Sequence, residues 1–130
     1  MYKILLFFIM LYCHILDDYK LQGILASLKQ REWWEKNESY PLYKNDYKMA
    51  LWEHAFCWAF SITLPVLIVA IYTHNLPLLH LLPFIYIFNT IVHAYVDDLK
   101  ANKHSISLVQ DQICHFIQVF GIWFTAIMFM

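Results

Sequence analysis

Residues 49–72 read MALWEHAFCWAFSITLPVLIVAIY, a run in which Glu53 and His54 are the only acidic or basic side chains. A run of this length and polarity meets the about 20 residues that a helix needs to cross a hydrocarbon core of about 30 Å. Three more apolar runs flank it, at about 4–28, 78–100 and 106–130. The first is interrupted by Asp17, Asp18 and Lys20, and the last by Gln110, Asp111, Gln112 and His115. In lipid such runs must be helical, because no water is present to bond exposed backbone groups. The expectation is an all-α chain, an integral membrane four-helix bundle in one domain spanning 1–130, with Pro65 kinking the second helix.

Composition agrees with that expectation. Of 130 residues, 61% are hydrophobic and 18% aromatic, with only two glycines. A soluble domain is nearer half apolar. The net charge of −1 supplies no field for nucleic acid, and no basic recognition helix or aromatic-basic platform is present. Cys13, Cys57 and Cys114 are an odd number without a CxxC spacing, so they read as buried free thiols. Lys3 followed by Ile4 to Tyr12 has the charge and apolar core of a signal peptide. No small-x-small cleavage site follows, and the segment reads as a retained helix.

Between the first two runs lies 29–48, the one long polar stretch, with Trp33, Trp34, Tyr40, Tyr43 and Tyr47 among mixed charges. Amphipathic aromatics beside lysine suit a membrane interface, so this is an amphipathic loop with room for a short interfacial helix. Lys29, Arg31, Lys36, Lys44, Lys48, Lys100 and Lys103 fall in the two loops on one side, against Lys3 alone on the other. The positive-inside rule then puts both long loops in the cytoplasm and both termini outside, for a multi-pass membrane protein.

The polar residues inside the runs require an explanation, since an ionisable side chain in a spanning helix costs several kcal/mol. They come in pairs. His14 and Asp18, His93 and Asp97, and Asp111 and His115 are each four apart, and Gln22 lies four beyond Asp18. Residues at i and i+4 share a helix face about 6 Å apart, the spacing for two ligands on one cation. Three helices carry such a pair and the remaining one carries His54. Counting a rise of about 1.5 Å per residue from the cytoplasmic ends, Asp18, His54 and Asp111 lie about 9 Å deep. His14 and His115 lie at about 15–20 Å, and His93 with Asp97 within about 6 Å. All fall in the cytoplasmic half.

Four imidazoles and three carboxylates form a borderline N/O donor set, suited to Zn²⁺, Mn²⁺ or Fe²⁺ better than to Mg²⁺ or Ca²⁺. The expected metal ligands are His14, Asp18, His54, His93, Asp97, Asp111 and His115. Seven exceed the needs of one catalytic zinc, so either two ions bind, or one binds while spare carboxylates orient its histidines. Asp17, Gln22, Asp98, Gln112 and Lys100 are expected around these ligands or facing a substrate. Two plainer readings compete: hydrogen-bonded His/Asp couples without metal, and a proton or ion pathway. Glu53, about 100° round the helix from His54, faces headgroups or acts as a base. His74, His80 and His104 read as ordinary surface or loop residues.

The set His14-Ile-Leu-Asp-Asp18-Tyr-Lys-Leu-Gln22, His54, His93-Ala-Tyr-Val-Asp97-Asp-Leu-Lys100 and Asp111-Gln112-Ile-Cys-His115 resembles a family of small bacterial and phage integral membrane proteins. The family pattern is HxxxDxxxQ, a lone His, HxxxDxxK and DQxxH, and it carries no assigned activity. More distantly the chain is similar to inner-membrane proteins labelled metal-dependent hydrolases. The resemblance implies a metal site and a bacterial or phage setting, and it implies no substrate.

Together these features lead to an expected metal-dependent hydrolase of a lipid or lipid-linked (phospho)ester at the cytoplasmic interface. Zinc is the first choice of metal, Asp111 the catalytic base, and Lys100 the cation near the substrate's anionic group. The alternatives are a proton or divalent-metal transporter or channel, expected at this length as a homo-oligomer, and a non-enzymatic membrane factor whose metal ties the helices together. The partners expected are membrane lipid and a lipid-linked substrate, with no nucleic acid.

Overall fold

The computed structural model describes residues 2–130, which are helical throughout apart from short turns; no strand occurs among the described residues. Six α-helices follow in order: α1 Tyr2–Leu16, α2 Leu25–Leu28, α3 Arg31–Asn37, α4 Asp46–Tyr72, α5 Leu76–Ala101 and α6 Leu108–Phe129. A 3₁₀ turn, Pro41–Tyr43, precedes α4. With that turn included, α4 is long and apolar enough to cross a membrane, as are α5 and α6.

The first apolar run is not the single helix to residue 28 that its hydrophobicity implies. α1 gives way to a π-helical turn at Asp17–Leu21, closed by a bond from Gln22 N to Asp17 O at 3.1 Å. Gly23 then takes φ +50°, which ends the helix, and α2 starts a new direction. The wider turn brings the neighbours Asp17 and Asp18 both to the inner side, 3% and 7% exposed. Hydrophobicity does not register this break, because Leu21, Ile24 and Leu25 continue the apolar run across it.

The other boundaries follow local chemistry. Ser107 and Gln110 form a capping box at the start of α6. Asn75 caps α5 by accepting from Leu78 N at 3.1 Å, and its Nδ2 donates to Phe129 O at 2.7 Å, tying the start of α5 to the end of α6. Pro65 lies inside an unbroken α4. The polar stretch 29–48 contains α3, shorter than two full turns.

α1 packs on α4 and α6, and α5 packs on the same two, so the four longest helices close a ring. Its interior has two layers. Away from the loops lies an apolar core built on Leu6, Met10, Ile62, Val66, Leu78 and Val119. Toward the loops that carry most of the lysines lie the histidines and aspartates. Ala50, Ala55 and Ala94 are buried on this side, and small side chains of this kind let helix backbones approach closely. The outer faces are apolar: Phe56, Phe60, Ile68, Phe84, Phe88 and Phe120 are each at least half exposed. The three cysteines are free, with Cys57 exposed and Cys13 and Cys114 half-buried rather than buried as expected.

Ile62 is fully enclosed, whereas Ile68, six residues on, is 57% exposed. Ile62→Ala should lower unfolding free energy by about 2–4 kcal/mol, and Ile68→Ala should change it by under about 0.5 kcal/mol. Reversible denaturation of the purified protein measures both.

Candidate metal centre

Four helices deliver the polar layer. Asp18 comes from the π turn after α1, His54 from the third turn of α4, His93 and Asp97 from the last turns of α5, and Asp111 and His115 from the first turns of α6. The four histidines at 14, 54, 93 and 115 are fully buried, and Asp97 and Asp111 are 2% and 1% exposed. The helices alternate in direction, so residues near the end of one and the start of the next meet at one level.

Asp97 is the centre of the arrangement. Its Oδ1 lies 3.2 Å from His115 Nε2 and 3.7 Å from His93 Nε2. Its Oδ2 lies 3.3 Å from His54 Nε2 and accepts from Lys29 Nζ at 2.5 Å. His54 Nε2 is also 3.2 Å from His93 Nε2 and 3.4 Å from Asp18 Oδ1. On the other side His115 Nε2 is 3.3 Å from Asp111 Oδ1. Three overlapping groups of donor atoms result: Asp18 with His54 and His93, His93 with Asp97 and His115, and Asp18 with Asp111 and His115. In each, the donor atoms lie within 4.8 Å of one another, so these buried groups could hold a metal ion.

The donor chemistry fits a cation. Metal–nitrogen bonds of about 2.0–2.1 Å at a tetrahedral ion hold two nitrogens about 3.3 Å apart, and His54 Nε2 and His93 Nε2 stand 3.2 Å apart. His93 also faces the ring nitrogen Nδ1 of His115 with its own Nδ1, at 3.1 Å. Two imidazole nitrogens this close either share one proton or turn both lone pairs on a cation. The buried His54 Nδ1 has no hydrogen-bond partner, and Asp111 Oδ1 accepts no hydrogen bond of good geometry.

Several side chains hold this layer in place. Trp58 stacks on His93, with ring centroids 4.0 Å apart, and donates from Nε1 to His14 Nδ1 at 2.9 Å. His14 Nε2 faces Gln112 Oε1 at 3.2 Å. Gln112 Nε2 donates to Asp18 Oδ2 at 2.8 Å and Asp111 Oδ2 at 3.1 Å. Lys100 Nζ donates to Asp111 Oδ2 at 3.0 Å.

The geometry separates the residues that spacing had grouped. Asp18, His54, His93, Asp97, Asp111 and His115 converge. His14 stands outside the three donor groups, because protein partners engage both of its ring nitrogens; it supports Trp58 and Gln112. Asp17 accepts from Ser61 Oγ at 2.9 Å. Gln22 turns its amide Nε2 back to the Asp18 carbonyl. Asp98 faces away, accepting from Asn102 at 2.9 Å and pairing with Lys103 at 3.0 Å. That carboxylate raises the Lys103 ammonium above its ordinary range. Three contributors carried no signal as ligands. Lys29 reads as a loop lysine until the break at Gly23 folds it back onto Asp97. Trp58 is one aromatic among many. Gln118 Oε1 lies 3.2 Å from His115 Nδ1, and its Nε2 donates to Asn89 Oδ1 at 3.1 Å. Gln118 lies three residues after His115 and Asn89 four before His93, spacings that place each on its neighbour's helix face.

No family model, curated protein or solved structure matches the chain.

Purified wild-type protein should bind a transition-metal ion stoichiometrically, and His93→Ala and Asp97→Ala should each lose it. Asp98→Ala should keep it. Affinity should fall as pH drops, because protons compete with the ion for the imidazoles and carboxylates. Elemental analysis after equilibrium dialysis at several pH values measures all four outcomes.

Proposed function

We propose that the chain is a membrane-embedded, metal-dependent hydrolase of a lipid or lipid-linked ester, acting at the cytoplasmic interface of a bacterial membrane. The observation that carries the reading is one cluster of buried His and Asp donors with an opening beside it. The opening is a cavity of about 340 Å³ whose lining includes Asp97, Lys29 and Lys100. Insertion in lipid is supported by three helices of spanning length and by outer faces covered with phenylalanine and isoleucine. An apolar surface of that extent on a water-soluble monomer would drive aggregation.

The donor set favours zinc, with manganese or iron also suited. One or two divalent ions held by donors drawn from Asp18, His54, His93, Asp97, Asp111 and His115 would supply a water acidified towards a pKa of about 7 and a Lewis acid for the ester oxygen. The protein's own groups do the rest. Where the other donors hold the ion, Asp111 Oδ1, which is buried and accepts no hydrogen bond of good geometry, can take a proton. Lys100, half-buried beside Asp111 and facing the cavity, offers a cation to a negatively charged group. Trp58 and the apolar core beyond it exclude water from the opposite side. The pattern resemblance to small bacterial and phage membrane proteins is in keeping with this setting.

Transport is the second reading. It calls for a polar path past the cluster. Beyond the pair Asn89 and Gln118 the enclosed residues are those of the apolar core, and among the described residues there only Thr63 bears a buried polar group, which bonds the Ala59 carbonyl. A purely structural metal would need a closed donor shell, which the opening at Asp97 does not favour.

Metal-loaded protein incubated with bacterial lipid extract should release a hydrolysis product detectable by mass spectrometry. Asp111→Asn should slow it by about 10²–10⁴-fold. No turnover of any phospholipid or polyprenyl phosphate would defeat the hydrolase reading. For orientation, alkaline phosphatase fused after His74 should be active and after Lys36 inactive; the reverse pattern would place the site at the outer face.

A further inference from the structure

Two cavities flank the metal centre and meet at Gln22, and they differ in chemistry. The first, already described, presents the ammonium groups of Lys29 and Lys100, with the exposed His104 at its edge. The second, also about 340 Å³, opens between the π turn and α4. Leu21, Leu25, Phe56 and Phe60 line it, and Asp17 and His54 bring polar atoms to it. Leu21, Phe56 and Phe60 are at least half exposed on the outer surface, so this cavity opens sideways, where the proposed membrane lies.

Two observations indicate what the pair would take. Among the described residues, four buried side-chain polar atoms lack a hydrogen-bond partner, and three of them, Asp17 Oδ2, Gln22 Oε1 and His54 Nδ1, belong to residues lining the apolar cavity. With its Nε2 turned to the donor cluster, the His54 ring can carry its N–H at Nδ1 and donate it to an ester or phosphate oxygen at the head of a hydrocarbon chain, while the acceptors Asp17 Oδ2 and Gln22 Oε1 take hydrogen bonds from a hydroxyl or water there. The second observation is the charge balance. Lys29 and Lys100 are tied to Asp97 and Asp111, at 2.5 and 3.0 Å. With Asp18, and with Asp17 from the neighbouring cavity, the four carboxylates outnumber the two ammonium groups by two. A divalent ion bound at the cluster cancels that excess, and the lysines, no longer needed to compensate Asp97 and Asp111, are released to face an anion in the cavity.

We propose that the two cavities together bind an acyl-chain phosphate ester, its phosphate between Lys29 and Lys100 and its chain along Leu21, Leu25, Phe56 and Phe60. The proposal rests on the metal-centre reading for the release of the lysines, and it names the substrate class for that centre. A free phosphate shares the head chemistry but leaves the second cavity unused.

The test measures binding to the full chain in phosphatidylcholine nanodiscs supplied with Zn²⁺, by native mass spectrometry, with zinc content determined on every sample. The probe is the phosphonate analogue of dioleoyl phosphatidate, which cannot be hydrolysed. Dioleoylglycerol and glycerol 3-phosphate are the comparison arms. The analogue should bind about tenfold tighter than either. The double substitution Lys29→Met with Lys100→Met should remove that margin, and the corresponding double arginine substitution should keep it. Leu25→Trp, which fills the apolar cavity, should weaken the analogue while leaving zinc content and glycerol 3-phosphate binding unchanged. Equal binding of the analogue and dioleoylglycerol would overturn the phosphate site, and so would a margin untouched by either lysine change. Glycerol 3-phosphate binding as tightly as the analogue, or no effect of Leu25→Trp, would overturn the chain site. A zinc-free wild type would sink the metal centre itself, whereas a zinc-loaded wild type without charge-dependent binding would sink this proposal alone.

Discussion

A buried carboxylate has to be compensated from within the protein, and Asp97 is where this chain meets that requirement. Removing such a group from water costs several kcal/mol even after relaxation, and only close opposite charge and hydrogen bonds offset it. Asp97 is 2% exposed and has Lys29, His54, His93 and His115 around it, within 2.5 to 3.7 Å. Those partners come from the segment after α2, from α4, from one turn earlier on α5 and from α6. Four stretches of chain therefore converge on one side chain, and the loop-facing end of the helix ring is organised by that convergence.

The rest of the interior is arranged so that this polar layer stays confined. Trp58 is its inner boundary: its ring face covers His93 and its N–H fixes His14, while its remaining surface belongs to the apolar core. A tryptophan suits that position because one end of the indole is polar and the rest is not. Past Trp58 the interior is held by interlocking Leu, Ile, Val and Met, with Asn75 and the backbone of Lys3 tying the far ends of the helices together through Phe129 and Trp123. The polar end thus rests on a rigid apolar stem, the arrangement that holds ligating side chains in fixed rotamers.

The cluster also contains more acceptors than its own donors satisfy. Asp111 Oδ1, enclosed, accepts no hydrogen bond of good geometry, and the rings of His54, His93 and His115 turn nitrogens toward one another. In a low-dielectric interior such a half-satisfied network is costly. A cation resolves it by taking lone pairs that no proton serves, and this physical reason joins the donor geometry in favouring a metal centre.

Much of the fold was legible in the order of residues alone. Apolar runs of about 20 residues specify helices wherever they stand, and spacing of four puts His93 with Asp97, and Asp111 with His115, on one face of a regular helix. These are local properties, decided by backbone geometry that one stretch of chain carries by itself. The break at residues 17–23 was not legible, because a π turn and a left-handed glycine leave the hydrophobic pattern unchanged. Three consequences depended on that break: Asp17 turning inward beside Asp18, Lys29 folding back onto Asp97, and a sideways cavity opening against α4. His14 shows the same limit from the other side. Its spacing to Asp18 is that of a ligand pair, yet Trp58 and Gln112, from two other helices, occupy both of its nitrogens. Sequence determined which residues each helix presents inward; which of them meet at common points depended on how four helices pack, and that is a property of no single segment.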